Sequence, residues 1–240
     1  MTTDALCATD AYLRACDATV LDSADDGIVL NRTVAYARGG GQPGDTGWLE
    51  WAGGRAAFLD TVKSRDTGRY LHVLADDAVP PPAGTAVTVT IDWVRRHQLM
   101  RTHTALHILC GTVFRDYGAL VTGGEMEPGK GRLDFEFETM RGELVREIEA
   151  AINKEAAQGR EIRVQILPRE EAFQIPDPIR TKINLLPAGI THVRTVEIVG
   201  LDLQADGGTH VRNTSEVGAI RVADYKSKGA INKRIYIEIE

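Results

Sequence analysis

The stretch that decides the fold lies near the middle of the chain, at residues 99–110, and reads LMRTHTALHILC. Apolar side chains and histidines recur in it at steps of three and four residues, the spacing of one face of an α-helix. The same spacing continues to Val113 and Phe114. This pattern predicts a helix from about residue 93 to about residue 117, with Asp92 as its N-cap.

Short apolar or alternating stretches precede this helix, and turn signals separate them. They lie at residues 18–21, 27–30, 48–51, 57–62, 70–74 and 87–91. Strands at this spacing are typical of a small barrel or sandwich. We therefore expect an N-terminal β domain over residues 1–92.

Helix and strand signals are mixed in the rest of the chain, without regular βαβ alternation. A second helix is predicted from about residue 139 to about residue 158, with Gly159 as the residue that ends it. Strand-like runs follow at residues 162–167, 193–199, 219–222 and 235–239. This order is typical of the α+β class, so we expect a second, α+β domain over residues 93–240.

Composition excludes several classes of protein. The chain has 240 residues, 43% of them hydrophobic and 26% charged, with a net charge of −6, which is typical of a globular protein and argues against a generic DNA-coating protein. The three cysteines form no CxxC, which excludes a thiolate zinc finger. The sequence shows no signal peptide and no apolar run of about 20 residues. We therefore expect no membrane partner and a cytoplasmic location.

His103 and His107 lie one helical turn apart, about 40° from each other around the axis. Apolar residues flank them, so both imidazoles are expected to point inward. Two adjacent buried imidazoles are costly without partners, and a divalent metal supplies one, because neutral imidazole is a good zinc ligand. Two hydrogen-bonded core histidines are the alternative. The pattern differs from the metalloprotease HExxH, because Thr104 stands where that motif has a glutamate.

A second motif, DGGTH at residues 206–210, offers two more ligands. Asp206 and His210 are both zinc-competent, and the two glycines between them allow a sharp turn or a close approach of the backbone. An ordinary turn with an exposed histidine is the alternative interpretation.

A glycine-rich segment, RGGGQPGDTG, occupies residues 38–47. It has no GK[ST] and no following helix, so it is neither a Walker A loop nor a dinucleotide fingerprint. Its five glycines would serve a backbone that must approach another group, or a flexible hairpin.

Basic residues gather in two places although the chain is acidic overall. Such clusters are suited to phosphate groups, although a solvated face is the commoner explanation. The residues are Arg95, Arg96 and Arg101 around the start of the first helix, and Arg221, Lys226, Lys228, Lys233 and Arg234 near the C-terminus.

Three motifs in this order resemble the AlaX family, whose members are free-standing homologues of the editing domain of alanyl-tRNA synthetase. The motifs are GGGQ at 39–42, HTALH at 103–107 and GGTH at 207–210. Supporting stretches are RLDF at 132–135, VRNT at 211–214, KSKG at 226–229 and NKRI at 232–235. The N-terminal barrel with its GGGQ loop resembles the medium-length AlaX type.

The resemblance implies a small N-terminal β-barrel packed on an α+β editing domain. It implies hydrolysis of the ester that joins serine, or glycine, to alanine tRNA, with one zinc ion per chain. His103, His107 and His210 match the zinc ligands of the family. The family has cysteine where this chain has Asp206, which implies either a carboxylate ligand or three histidines with water.

Three polar residues are candidates for recognising the serine hydroxyl: Thr102, Thr209 and Gln42. A site built to hydrogen-bond a hydroxyl strongly rejects an analogue that lacks it, and this would spare correctly charged alanine tRNA. A cap or a loop hydrogen bond is the alternative role for each residue.

Two other functions stay open at this point. One is a different zinc hydrolase that acts on a small ester or amide without tRNA. The other is a nonenzymatic tRNA-binding module with structural zinc, which a closed four-ligand site would favour, because catalytic zinc keeps an open position.

Overall fold

The computed structural model describes residues 3–24, 26–64, 67–137, 139–174 and 190–240. The chain divides into two compact units, Met1–Gln98 and Leu99–Glu240. The division at 92/93 that the sequence suggested remains a prediction.

The first unit is built around a β-barrel. Its strands are β1 (Asp4–Ala5), β2 (Ala15–Ala24), β3 (Gly27–Leu30), β4 (Arg32–Thr33), β5 (Gly47–Trp51), β6 (Gly54–Lys63), β7 (Tyr70–Leu74) and β8 (Ala86–Ile91), with a short 3-10 helix at Leu6–Ala8. Six strands close the barrel in the order β2-β3-β7-β6-β5-β8. Closure leaves the barrel no open edge. The sequence left barrel and sandwich open for this part, and the structure decides for the barrel.

Alternating side chains fill the barrel. Leu49 of β5 and Val89 of β8 are paired across the strands and fully buried. Phe58 of β6 belongs to the same apolar cluster. Burying side chains of this kind contributes roughly 1.5–3 kcal/mol each, so the short alternating runs in the sequence are what stabilises the barrel.

The second unit combines helices with two antiparallel sheets. Its elements are α1 (Trp93–Tyr117), which begins in the last residues of the first unit, β9 (Val121–Glu127), β10 (Lys130–Glu136), α2 (Gly142–Ala157), β11 (Ile162–Pro168), α3 (Arg169–Ala172), β12 (His192–Ile198), β13 (Asp202–Ala205), a 3-10 helix (Thr214–Glu216), β14 (Ile220–Ser227) and β15 (Asn232–Ile239). One sheet has the order β14-β15-β10-β9 and the other has the order β11-β12-β13. The predicted α+β class is confirmed.

The ends of both long helices follow the sequence signals. The backbone N–H of Arg95 donates to Asp92 Oδ1 at 3.1 Å, so Asp92 caps α1 as predicted. Gly159 has a φ of 64°, the left-handed conformation of a residue that ends a helix, two positions after α2.

The middle of α1 is more deeply buried than a one-faced helix. Every residue from Thr102 to Val113 is buried. A helix surrounded on all sides by protein lies in the interior, so His103 and His107 are removed from solvent whatever face they occupy. Among the residues that the structure describes, no helix is long and apolar enough to cross a membrane.

The sequence missed the strands β9, β10 and β13, and also the short elements β1, β4 and α3. Gly123 and Gly124 interrupt β9, and glycine weakens a strand signal. β10 does alternate buried and partly exposed residues over Lys130–Glu136, and that period of two was the overlooked signal. β13 has four residues, too few for a periodicity argument.

Candidate metal centre

Helix α1 supplies the first two side chains of the candidate centre. His103 and His107 are separated by one turn, and their ring centroids lie 5.0 Å apart. Both are buried, with 5% and 6% of their surface exposed. The interior orientation expected from the flanking apolar residues is thus observed.

The loop after β13 supplies the other two. Asp206 Oδ2 accepts the backbone N–H of Gly208 at 2.7 Å, which folds the loop back on itself. The same oxygen lies 3.1 Å from His210 Nε2. His210 is buried and stacks on His103 with a centroid distance of 4.2 Å. The alternative of an exposed turn histidine is excluded for this residue.

Two motifs that lie about 100 residues apart in the sequence therefore meet in space. The ligand atoms of His103, His107, Asp206 and His210 all lie within 4.8 Å of one another. Three imidazoles and one carboxylate form a donor set that zinc accepts. The donors belong to one unit and lie on a buried helix and a folded loop, so this set of side chains fits a bound zinc ion.

Electrostatics favours the protonation states that bind metal. Burial lowers the pKa of His103 well below its usual value and lowers the pKa of His210 to about 4. Burial alone would raise the pKa of Asp206, but the surrounding imidazoles outweigh it and hold that pKa well below the usual range. An ionised carboxylate and neutral imidazoles are the forms that ligate a metal.

His107 differs from its two neighbours. Burial lowers its pKa, but the carboxylates of Asp202 and Asp206 outweigh this effect, so that its pKa is raised above the ordinary value. A metal ion at this site therefore competes with a proton for His107.

Other residues hold the four candidate ligands His103, His107, Asp206 and His210, here called the quartet, in place. Thr104 Oγ1 lies 3.1 Å from His210 Nδ1 and accepts the backbone N–H of Val211 at 3.3 Å. Arg194 donates from Nη1 to the backbone carbonyl of Asp206 at 2.9 Å. The sequence pointed to neither role, because both partners lie far from these residues along the chain.

Of the three predicted substrate-contacting residues, two adjoin the candidate ligands in the chain and one belongs to the first unit. Thr102 and Thr209 are buried directly beside the ligands His103 and His210 in the chain, and Thr102 Oγ1 accepts the backbone N–H of Gly129 at 3.0 Å. Gln42 is also buried and belongs to the first unit.

Gln42 also closes the tip of the GGGQ loop. Its backbone exchanges two hydrogen bonds with Gly39, of 2.9 and 3.1 Å. Gly40 and Gly41 between them have φ values of 57° and 85°, which only glycine adopts readily.

Two of the residues predicted to contact phosphates are corrected by the structure. Arg96 is fully buried in an ion pair with Asp45, and it also donates to the backbone carbonyl of Val34 at 2.8 Å. Lys233 has 5% of its surface exposed and donates from Nζ to two backbone carbonyls at 2.8 Å. Both charges are satisfied inside the protein, so neither is on a surface that a phosphate reaches.

The remaining basic residues differ in exposure and in the partners that their charges already have. Arg101 donates to the carbonyl of Val217 at 2.8 Å, and Arg234 pairs with Asp134 at 2.5 Å. Arg95 is half-buried and donates to Gly44 O at 3.3 Å. Lys226 and Lys228 are exposed at the end of β14 and just after it, and Lys226 pairs with a neighbouring aspartate.

Comparison with known proteins places the chain in a family. Residues 193–236 match a family model described as "Threonyl and Alanyl tRNA synthetase second additional domain", and residues 10–95 match one described as "tRNA synthetases class II (A)". The "Alanyl-tRNA editing protein AlaX-M" of Saccharolobus solfataricus is 36% identical over 240 residues, which cover 99% of each chain. The chain belongs to the AlaX-M family of alanyl-tRNA editing proteins. The resemblance inferred from the three ordered motifs is confirmed.

Two other relatives show how far the similarity extends. The AlaX-M protein of Methanosarcina barkeri is 34% identical over 240 residues, again 99% of each chain. The "Alanine--tRNA ligase" of Pyrobaculum arsenaticum is 34% identical over 225 residues, which are 89% of this chain and 24% of the ligase. The metal quartet lies within the second unit of a chain that matches its AlaX-M relatives from end to end.

Proposed function

We propose that this chain is a trans-editing hydrolase that removes chiefly serine from mischarged alanine tRNA in the cytoplasm, using one zinc ion, with glycine as the second candidate amino acid. The observation that carries the proposal is the convergence of His103, His107, Asp206 and His210 within 4.8 Å. Membership of a family whose relatives are named alanyl-tRNA editing proteins supports alanine tRNA as the substrate.

The four residues would hold the zinc ion through three imidazole nitrogens and one carboxylate oxygen. Bound zinc would supply either a water of lowered pKa or a ligand position for the amino group of the substrate. Asp206 stands at the position of the family's cysteine, and its pKa is held low, so it offers an ionised oxygen at that position. An aminoacyl ester is an activated bond, so modest catalysis is enough to cleave it.

Discrimination between serine and alanine would rest on hydroxyl groups beside the ligands. Thr102 and Thr209 adjoin His103 and His210 in the chain and are buried. A buried hydroxyl that pairs with serine loses its partner when alanine is bound, which penalises the correct amino acid. Gln42 remains a third candidate, from the first unit.

Binding of the tRNA backbone would use the exposed cations. Lys226 and Lys228 are open to solvent, whereas Arg96 and Lys233 are not. We therefore limit the proposed phosphate contacts to Lys226 and Lys228, with Arg95, Arg101 and Arg234 as partly engaged candidates.

The test is a deacylation assay with alanine tRNA charged with serine, glycine or alanine, and with a free seryl ester. We expect release of serine and glycine, much slower release of alanine, and little activity on the free ester. His103→Ala is expected to abolish release, and His192→Ala, which changes an exposed histidine of β12, is the matched control.

Two results would overturn the proposal. Equal activity on the free ester would indicate a small-molecule hydrolase. Binding of tRNA without release of any amino acid would indicate a nonenzymatic binding module.

A further inference from the structure

A carboxylate lies behind the metal candidate His107, outside the quartet. Asp202 is the first residue of β13, and its side chain has 0% of its surface exposed. Its Oδ2 atom lies 3.5 Å from His107 Nδ1. Across the described ranges of the chain, that ring nitrogen is buried and has no hydrogen-bond partner. A movement of about 0.5 Å would bring the pair to the usual hydrogen-bond distance.

A neighbouring amide fixes the orientation of this carboxylate. Gln204 lies two residues further along β13, so it shares a face of the strand with Asp202. Its Nε2 donates to Asp202 Oδ2 at 2.5 Å and contacts Cys110 Sγ of α1 at 3.4 Å. The oxygen that faces His107 is thus held from the other side.

Close packing of α1 against β13 keeps the two groups near each other. Gly111 lies one helical turn after His107. A Cβ atom added there would lie 2.8 Å from the Cβ of Asp202 and 3.2 Å from the backbone oxygen of Leu201, closer than atoms normally approach. Glycine at this position lets the start of β13 approach the helix.

We propose that Asp202 is a positioning residue for the metal centre. Its carboxylate accepts the Nδ1–H of His107, and this leaves the lone pair on His107 Nε2 for the metal. The inference rests on the zinc site of the proposed function. Ligating histidines commonly donate their second ring N–H to a carboxylate, which fixes the tautomer and raises the basicity of the ligating nitrogen. Gln204 and Gly111 hold Asp202 in place for this role.

The first test measures zinc affinity of the full chain by competition with a chromophoric chelator. Asp202→Ala is expected to weaken zinc binding about 10- to 100-fold, because partners of ligating histidines contribute that much. Asp202→Asn keeps an oxygen acceptor and is expected to lose less than Asp202→Ala. Asp224→Ala, at an exposed aspartate of β14, is the control and is expected to bind zinc as the unchanged protein does.

The outcomes separate this inference from the proposed function. If the unchanged protein binds zinc and Asp202→Ala binds it equally well, the role of Asp202 is refuted while the zinc site stands. If the unchanged protein binds no zinc, both are refuted.

A second test needs no variant of Asp202 and so does not depend on its folding. Nitrogen-15 NMR of the zinc-loaded protein, with the His107 signals assigned from the spectrum of His107→Gln, reports which ring nitrogen carries hydrogen. We expect hydrogen on Nδ1 and metal on Nε2. Metal on Nδ1 would overturn the proposal, and a purely structural role for Asp202 would not fix this tautomer.

Discussion

The carboxylate of Asp206 lies 3.1 Å from Nε2 of His210, four residues later in the same loop. Its other oxygen lies 3.7 Å from Nε2 of His103 on helix α1. One carboxylate thus joins the two candidate metal motifs of the sequence, at the position where the resemblance to the AlaX family implies a cysteine.

Replacement of Asp206 tests whether it is a ligand. We expect Asp206→Ala to lower zinc affinity at least about tenfold, since even partners outside the ligand set contribute that much. Asp206→Cys restores the family residue and is expected to retain the metal. With Co²⁺ as the probe, Asp206→Cys is expected to add a thiolate charge-transfer absorption that the unchanged protein lacks. Unchanged zinc affinity in Asp206→Ala would show that three histidines suffice.

The buried pair of Arg96 and Asp45 is predicted to be the most sensitive charge pair of the first unit. Both side chains are at most 1% exposed. Arg96→Met leaves the Asp45 carboxylate buried without its partner, and this loss is expected to reduce the free energy of unfolding by about 3–5 kcal/mol.

Urea unfolding followed by tryptophan fluorescence measures this effect. The three tryptophans, Trp48, Trp51 and Trp93, all belong to the first unit, so their fluorescence reports on it directly. Arg38→Met is the matched control, because Arg38 is 61% exposed in its pair with Asp60 and its loss is expected to change stability by less than about 1 kcal/mol. Equal effects of the two substitutions would contradict the assignment.

A buried histidine in the barrel predicts how the first unit responds to acid. His72 is fully buried, its Nδ1 lies 3.1 Å from the carbonyl of Ile28, and its Nε2 lies 2.8 Å from Thr33 Oγ1. Burial lowers its pKa from 6.5 to about 4. Between these values the unfolded chain binds more protons than the folded one, so stability is full above pH 6.5 and falls as the pH drops towards 4.

The loss at pH 4 amounts to about 3 kcal/mol from this group alone. We expect His72→Gln to be less stable at neutral pH but to lose about that much less on acidification. His192→Gln changes an exposed histidine and should keep the pH dependence of the unchanged protein. A slope in His72→Gln identical to that of the unchanged protein would refute the role of His72.

The exposed side chains of Lys226 and Lys228 lead us to expect that tRNA binding depends on salt concentration through these two charges. Lys226→Gln combined with Lys228→Gln should weaken tRNA binding and reduce the slope of log K against log salt by about 0.7–0.9 for each phosphate that the variant no longer neutralises. Lys154→Gln, at an exposed lysine of α2, is the control. Binding titrations at several salt concentrations measure both quantities. If the double variant and the control have the same slope, the tRNA phosphates bind elsewhere on the protein.

Local signals were enough for the two long helices and for the candidate metal residues. Asp92 and Gly159 mark helix ends through contacts within a few residues, and these are written directly in the sequence. The spacing of His103 and His107 fixed their common face, and the compact DGGTH motif indicated that its ligands lie together. The geometry of a turn or of one helical turn depends on neighbours in the chain, so these features could be predicted.

Contacts between residues that lie far apart in the sequence could not be predicted in the same way. Arg96 was interpreted as a surface charge because its partner Asp45 lies 51 residues away and only the fold brings them together. Asp202 was overlooked for the same reason, although Asp202 and Gln204 lie two residues apart in the sequence and thus share a face of β13. A search for polar residues at every second position before the DGGTH motif would have found Asp202.

The most direct test of the central claim joins zinc content to the release of serine in one preparation. The unchanged protein is expected to contain one zinc ion per chain, to lose serine release from mischarged alanine tRNA when the metal is removed, and to regain it when zinc is restored. His103→Ala is expected to contain little zinc and to stay inactive after zinc is added. Full serine release by the metal-free protein, or by His103→Ala, would contradict the account.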